Sequence, residues 1–158
     1  MKNLIPNNTY TQEGIAVLTE YLSGHLTIRR LKELALRVVG VDLMINGLDF
    51  KSVYHEMNHS YYLEPKDAFI LTTRIFRGGG FTKDHLYLKG FIKILKLWES
   101  GKSLNPLLIG KNSIHYYDIY KEMIARELAN PPDYITSILK NPVKSKKEVE
   151  FVISGLRG

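Results

Sequence analysis

The stretch Arg74–Gly90, RIFRGGGFTKDHLYLKG, separates two runs of helical periodicity. Apolar residues recur at helical spacing up to Arg77, and three consecutive glycines, Gly78, Gly79 and Gly80, then break the pattern. Thr82 is a good N-cap residue for a second helix that runs amphipathically to about Ser100. Glycines admit positive φ and close approach, so that successive backbone N–H groups can converge on an anion. Arg77 and Lys83 flank them with fixed positive charge, and Lys83 stands in a first helical turn, where the helix dipole disfavours a cation. Two readings follow. Arg77, Gly78, Gly79, Gly80 and Lys83 form a pocket for a carboxylate or phosphate, or they form a helix–helix turn with solvated basic residues.

Outward from that stretch the chain reads as helices. Thr11 to Ser23 is apolar on most sides and closed by Gly24, yet it carries Glu13 and Glu20 on one face, and carboxylates on a buried helix need partners. Thr27 to Asn46 is amphipathic, with Ile28, Leu31, Ala35, Val38 and Ile45 as its apolar stripe, and Asp42 falls on that stripe, either as an acid paired in the core, the expected reading, or as one that supports a site ligand from behind. Pro65 opens a further helix at its first position. Beyond the glycines, Leu86, Phe91, Ile94, Leu95 and Trp98 form a core face, and Lys89, Lys93 and Lys96 a basic outer stripe. A connector around Pro106, a helix from Ser113 to about Leu128, and two short helices near Asp133–Leu139 and Ser145–Ser154 complete the chain. With no hairpin chemistry and no repeat, the expected fold is an all-α multi-helix array.

Length and composition bound the function. At 158 residues the chain supports one domain with a real core, so residues 1–158 are expected to form a single helical domain. The chain has no cysteine, which excludes disulfides, thiolate zinc sites and cysteine nucleophiles. No apolar run is long enough to cross a membrane and the first ten residues lack a signal-peptide core, so a cytoplasmic location with no membrane partner is expected. The net charge of +6 suits an acidic partner. Lys and Arg are nevertheless spread along several helices without a nucleic-acid motif, which reads as solvated faces and no specific nucleic acid.

The helix that follows Asp49, FKSVYHEMNHSYY, contains His55-Glu56-Met57-Asn58-His59, which fits the H-E-x-x-H pattern of zinc proteases. In such a site His55 and His59 would bind the metal and Glu56 would act as the base. Periodicity points elsewhere. Phe50, Val53, Tyr54, Met57 and Tyr61 make the apolar face, which turns Ser52, His55, Glu56 and His59 toward solvent as a polar face. A small self-contained zinc hydrolase built on HEMNH is the alternative, and it requires that face to lie in a walled cleft.

Two motifs, TQEGIAVLTEYL (11–22) and RIFRGGGFTKDHLYLKG (74–90), resemble the QEGLA-motif family, from about Tyr10 to about Pro132. Its bacterial members are the flavohemoglobin expression-modulating QEGLA motif proteins and its animal members the microtubule-associated tyrosine carboxypeptidases. The resemblance implies the C-terminal helical part of a zincin-like metallopeptidase, a zinc carboxypeptidase acting on a peptide or protein C-terminus. Family zinc is held by two histidines of an H-E-x-x-x-H helix and by the Glu of a later E-G pair, which falls here on Glu13. In the family the histidine helix lies upstream of that pair, whereas His25 is the first histidine of this chain and HEMNH lies downstream with shorter spacing.

The expectation is therefore a C-terminal fragment, truncated gene or split subunit that owns the third zinc ligand and is inactive alone. The histidines and general base would come from an upstream chain. Arg77, Gly78–Gly80 and Lys83 would receive the substrate carboxylate. Tyr87, one turn after Lys83, would donate to the developing oxyanion. A non-catalytic basic helical module that binds an acidic partner is the third reading.

Overall fold

The computed structural model describes residues 7–77 and 85–157, and among them all regular structure is helical. Gly78–Gly80, Thr82 and Lys83 lie outside the described residues. The chain divides into two compact units, Met1–Ile28 with Leu86–Gly158, and Arg29–His85.

The discontinuous unit is built on α1 (Asn7–Leu22) and α5 (Leu86–Glu99), its most extensive helix pair. Helix α1 begins four residues before the expected Thr11. Its apolar girdle, Val17, Leu18 and Leu22, is buried. From α5 come Phe91, Ile94 and Leu95, all buried, while Lys89, Lys93 and Lys96 face solvent as their spacing requires. Phe91 meets the buried Tyr21 ring edge-on at 6.1 Å, a favoured aromatic geometry.

What sets the approach of the two helices is glycine. A Cβ on Gly14 would lie 2.5 Å from the Gly90 carbonyl carbon, and one on Gly90 would strike the Tyr10 carbonyl oxygen. Only residues without a side chain let the backbones come this close.

After α5 the chain forms α6 (Asn105–Leu108), a short helix with Pro106 in its first turn where a connector was expected. A 3₁₀ turn at Ile114–Tyr116 is capped by the Ser113 hydroxyl and runs into α7 (Tyr117–Ala125). The helix expected near Asp133–Leu139 is only a 3₁₀ turn, Ser137–Leu139. Helix α8 (Lys147–Leu156) buries Val149 and Ile153. The segment before α8 is strapped onto the end of α1. Val143 N–H donates to Leu22 O at 2.7 Å, Ser145 Oγ to Tyr21 O at 2.9 Å, and Tyr21 Oη to Glu150 Oε2 at 2.8 Å.

The contiguous unit holds α2 (Ile28–Ile45, from Arg29 onward), α3 (Phe50–His55) and α4 (Pro65–Arg77). Asp49 caps α3 as expected, accepting from Ser52 N–H at 2.8 Å, and Pro65 opens α4. Leu36, Val41, Val53, Met57, Ala68, Leu71 and Ile75 form its core. The buried stripe of α2 is rotated from the expected one. Leu31, Leu34, Leu36, Arg37, Gly40 and Val41 are inside, whereas Ile28 and Ile45 are exposed.

Asp42 corrects the expectation of a core-paired acid. It is exposed and accepts from Asn46 Nδ2 at 3.2 Å, one helical turn on.

Candidate functional site

The HEMNH segment continues α3 as a π-helical turn, Glu56–Ser60, in which Tyr61 N–H reaches back five residues to Glu56 O at 3.1 Å. Tyr62, in the left-handed region at φ 54°, ends it. The apolar face predicted for this helix is the buried one: Val53 and Met57 have no exposed surface. His55 and His59 are exposed and stack ring on ring, 4.0 Å between centroids and 11° between planes. His59 Nδ1 lies 3.2 Å from the His55 carbonyl oxygen, and Glu56 is half-buried. A catalytic zinc helix needs its two imidazoles diverging onto one ion inside a cleft with partners behind them. Two stacked rings on an open face do not meet that description. Among the described residues no group of three or more His, Asp or Glu side chains is arranged to hold a metal ion.

The other candidates gather on the α1–α5 pair. Glu13, half-buried, immediately precedes Gly14, and Tyr87, half-buried on α5, lies three residues before Gly90. Each therefore sits within a turn of the point where the two backbones touch. The E-G pair of the first motif and the Y-L-x-G of the second are the two halves of one crossing.

Two residues that sequence reasoning passed over complete it. Tyr10 Oη donates to the Lys89 carbonyl at 2.9 Å, with the Lys93 ammonium 6.0 Å from its ring centre. Burial pushes the Tyr10 hydroxyl up from its ordinary pKa. Thr11, fully buried, accepts from Ile114 N–H at 2.8 Å, tying α1 to the turn before α7. The signal was present, since both residues directly precede the Q-E-G triplet. Their types, Tyr and Thr, are too common in ordinary helices to stand out.

Arg77 ends α4 in the contiguous unit and is exposed. Its expected companions Gly78, Gly79, Gly80 and Lys83 are outside the described residues. No helix among the described residues is long and apolar enough to cross a membrane.

A family model described as microtubule-associated tyrosine carboxypeptidase matches residues 1–157, nearly the whole chain. No curated protein and no solved structure matches it.

Proposed function

The chain belongs to the microtubule-associated tyrosine carboxypeptidase family and is carboxypeptidase-like, and from that premise we propose that it forms part of a zinc metallocarboxypeptidase site. Glu13 serves as one zinc ligand. The two remaining ligands and the general base come from an H-E-x-x-x-H helix outside these 158 residues. The substrate is a peptide or protein with a free carboxyl terminus. Its carboxylate is received by Arg77, the backbone amides of Gly78–Gly80 and Lys83, a donor set suited to an anion. Tyr87 donates a hydrogen bond to the oxygen on which negative charge develops.

One observation carries this reading. The two motifs, 76 residues apart at their glycines by number, close on each other at Gly14 and Gly90, holding Glu13 and Tyr87 at the same helix crossing. A single carboxylate does not fit a whole zinc site, which takes three protein ligands and an open position. Zinc bound there would supply Lewis-acid activation of water and of the scissile carbonyl. The chain's own residues hold the substrate terminus and the developing charge. Alone, the chain is expected to be inactive.

Zinc stoichiometry after dialysis tests this, on the chain as it stands and on Glu13→Gln and His55→Ala variants. The expected result is no tightly held zinc in any of the three. With a family H-E-x-x-x-H segment added in trans, zinc is retained one-to-one, and Glu13→Gln abolishes that retention. One-to-one zinc on the chain alone, lost on His55→Ala, would overturn the reading in favour of HEMNH.

A further inference from the structure

In the discontinuous unit, the loop that leaves α5 and the 3₁₀ turn at Ser137–Leu139 enclose a cavity of about 430 Å³. Gly101, at φ 75°, turns the chain out of the helix, and Lys102 to Asn105 form one side of the hollow. Trp98 on α5, with Leu104, Ile135 and Leu139, gives it apolar walls. The half-buried indole is fixed in place, since its Nε1–H donates to the Leu139 carbonyl at 3.4 Å and ties the helix to the turn. Tyr117 Oη donates to the Ser103 carbonyl at 2.8 Å and holds the loop to α7.

The polar side chains that line the cavity all carry hydrogen-bond donors. Lys102 and Lys140 bring two ammonium groups from separate segments, and among the described residues no carboxylate lines it. The Lys102 ammonium stands over the Tyr117 ring, 5.8 Å from its centre, a contact that orients the cation and leaves its N–H groups able to meet an anion. Lys140 is exposed and forms no ion pair among the described residues. Ser103 Oγ accepts from Asn105 N–H at 3.2 Å, which leaves its own proton to donate, and Asn105 adds a side-chain amide.

We propose that this cavity binds a phosphate monoester carried on a flat aromatic ring. Such an ester is close to a dianion at neutral pH and offers three strong acceptor oxygens. Two ammonium groups and two neutral donors match both that charge and that set of acceptors. A lone carboxylate, with one charge and two oxygens, would leave part of the donor set unused. The ring packs against the Trp98 indole, Ile135 and Leu139, and stacking on an aromatic side chain accepts any flat ring. The volume falls within the range of small-molecule sites, about 300 to 1,000 Å³. A nucleoside monophosphate and a simple aryl phosphate share this chemistry. None of the lining residues belongs to TQEGIAVLTEYL or RIFRGGGFTKDHLYLKG, so the site draws on neither Glu13, Arg77 nor Tyr87.

Trp98 is the only tryptophan of the chain, so its fluorescence reports directly on this cavity. The test titrates the whole chain with adenosine 5′-monophosphate, adenosine, phenyl phosphate, benzoate and inorganic phosphate, read by Trp98 fluorescence and by calorimetry. The two phosphate esters are expected to bind saturably and one-to-one. Adenosine, benzoate and inorganic phosphate, each lacking the ring or the second charge of the ester, should bind at least about tenfold more weakly. Lys102→Gln and Lys140→Gln, both at exposed positions, should each weaken phenyl phosphate about tenfold, the scale of one charge-assisted hydrogen bond. Lys121→Gln, exposed and outside the lining, should leave the affinity unchanged. Tighter binding of the nucleotide than of phenyl phosphate identifies a nucleoside monophosphate as the ligand, and the reverse identifies a simple aryl phosphate. Equal affinity for phenyl phosphate and benzoate, an equal loss in Lys121→Gln, or the absence of saturable binding by both readouts overturns the proposal.

Discussion

Gly14 of α1 and Gly90 of α5 lie backbone against backbone, so that neither position has room for a methyl group. The atoms a new Cβ would meet are main-chain atoms, which cannot swing aside as a flexible side chain can. Gly90→Ala should therefore lower stability by about 1–3 kcal/mol or more, despite alanine's better helix propensity. Urea unfolding checks this, and an unchanged or higher midpoint would mean that the helices can part without loss.

The buried Thr11 hydroxyl is the acceptor for Ile114 N–H across 103 residues of sequence. Thr11→Val keeps the shape of the side chain and removes that acceptor, leaving a buried donor unsatisfied. The expected loss is about 1–3 kcal/mol in the same unfolding experiment. Thr11→Ser, which retains the hydroxyl, should recover most of the difference except for the lost methyl.

Alkaline titration should single out Tyr21. Burial first, then the hydrogen bond to Glu150 and the charge of that carboxylate, push its hydroxyl from 10.0 up to about 12. The folded state therefore holds this proton more tightly than the unfolded state. Its contribution to stability is complete below pH 10 and is lost as the pH rises through about 12. Subtracting the stability of Tyr21→Phe from that of the parent at each pH isolates the effect from the titration of lysines. The difference should shrink across that window, and a flat difference would remove the Tyr21–Glu150 linkage.

If Arg77 receives the substrate carboxylate, its removal must discriminate between substrates. In an active assembly, Arg77→Ala should reduce kcat/KM on peptides with free carboxyl termini by about tenfold or more, with little change on amidated peptides. Equal loss on both would assign Arg77 a structural role.

Helix existence was legible because period and punctuation agreed. Asp49, Pro65 and Ser113 mark starts that the structure uses. The exposed histidines of HEMNH also followed from period alone, since Val53 and Met57 had already claimed the inner face. The face of α2 was misjudged for a physical reason. Gly40 lets Ile75 press into the helix, and that contact, invisible in the sequence of α2, rotates its buried stripe away from Ile28 and Ile45.

Asp42 was misplaced by the same rotation. At the candidate site, Glu13 and Tyr87 could be named from their motifs, but the crossing that relates them could not. It depends on two glycines whose separate contexts read as unremarkable helix interior.

The strap of Val143, Ser145 and Glu150 onto the end of α1 has a consequence for the order in which the protein takes shape. Every packing partner within Arg29–His85 is synthesised in one continuous run, whereas the unit that carries Glu13 draws on both ends of the chain. On the ribosome, α1 emerges ahead of α2–α8 and waits through more than a hundred residues for the segment that satisfies the Leu22 and Tyr21 carbonyls. Its apolar girdle lacks the α5 partners Phe91, Ile94 and Leu95 until that helix has emerged, an interval in which α1 is prone to aggregation.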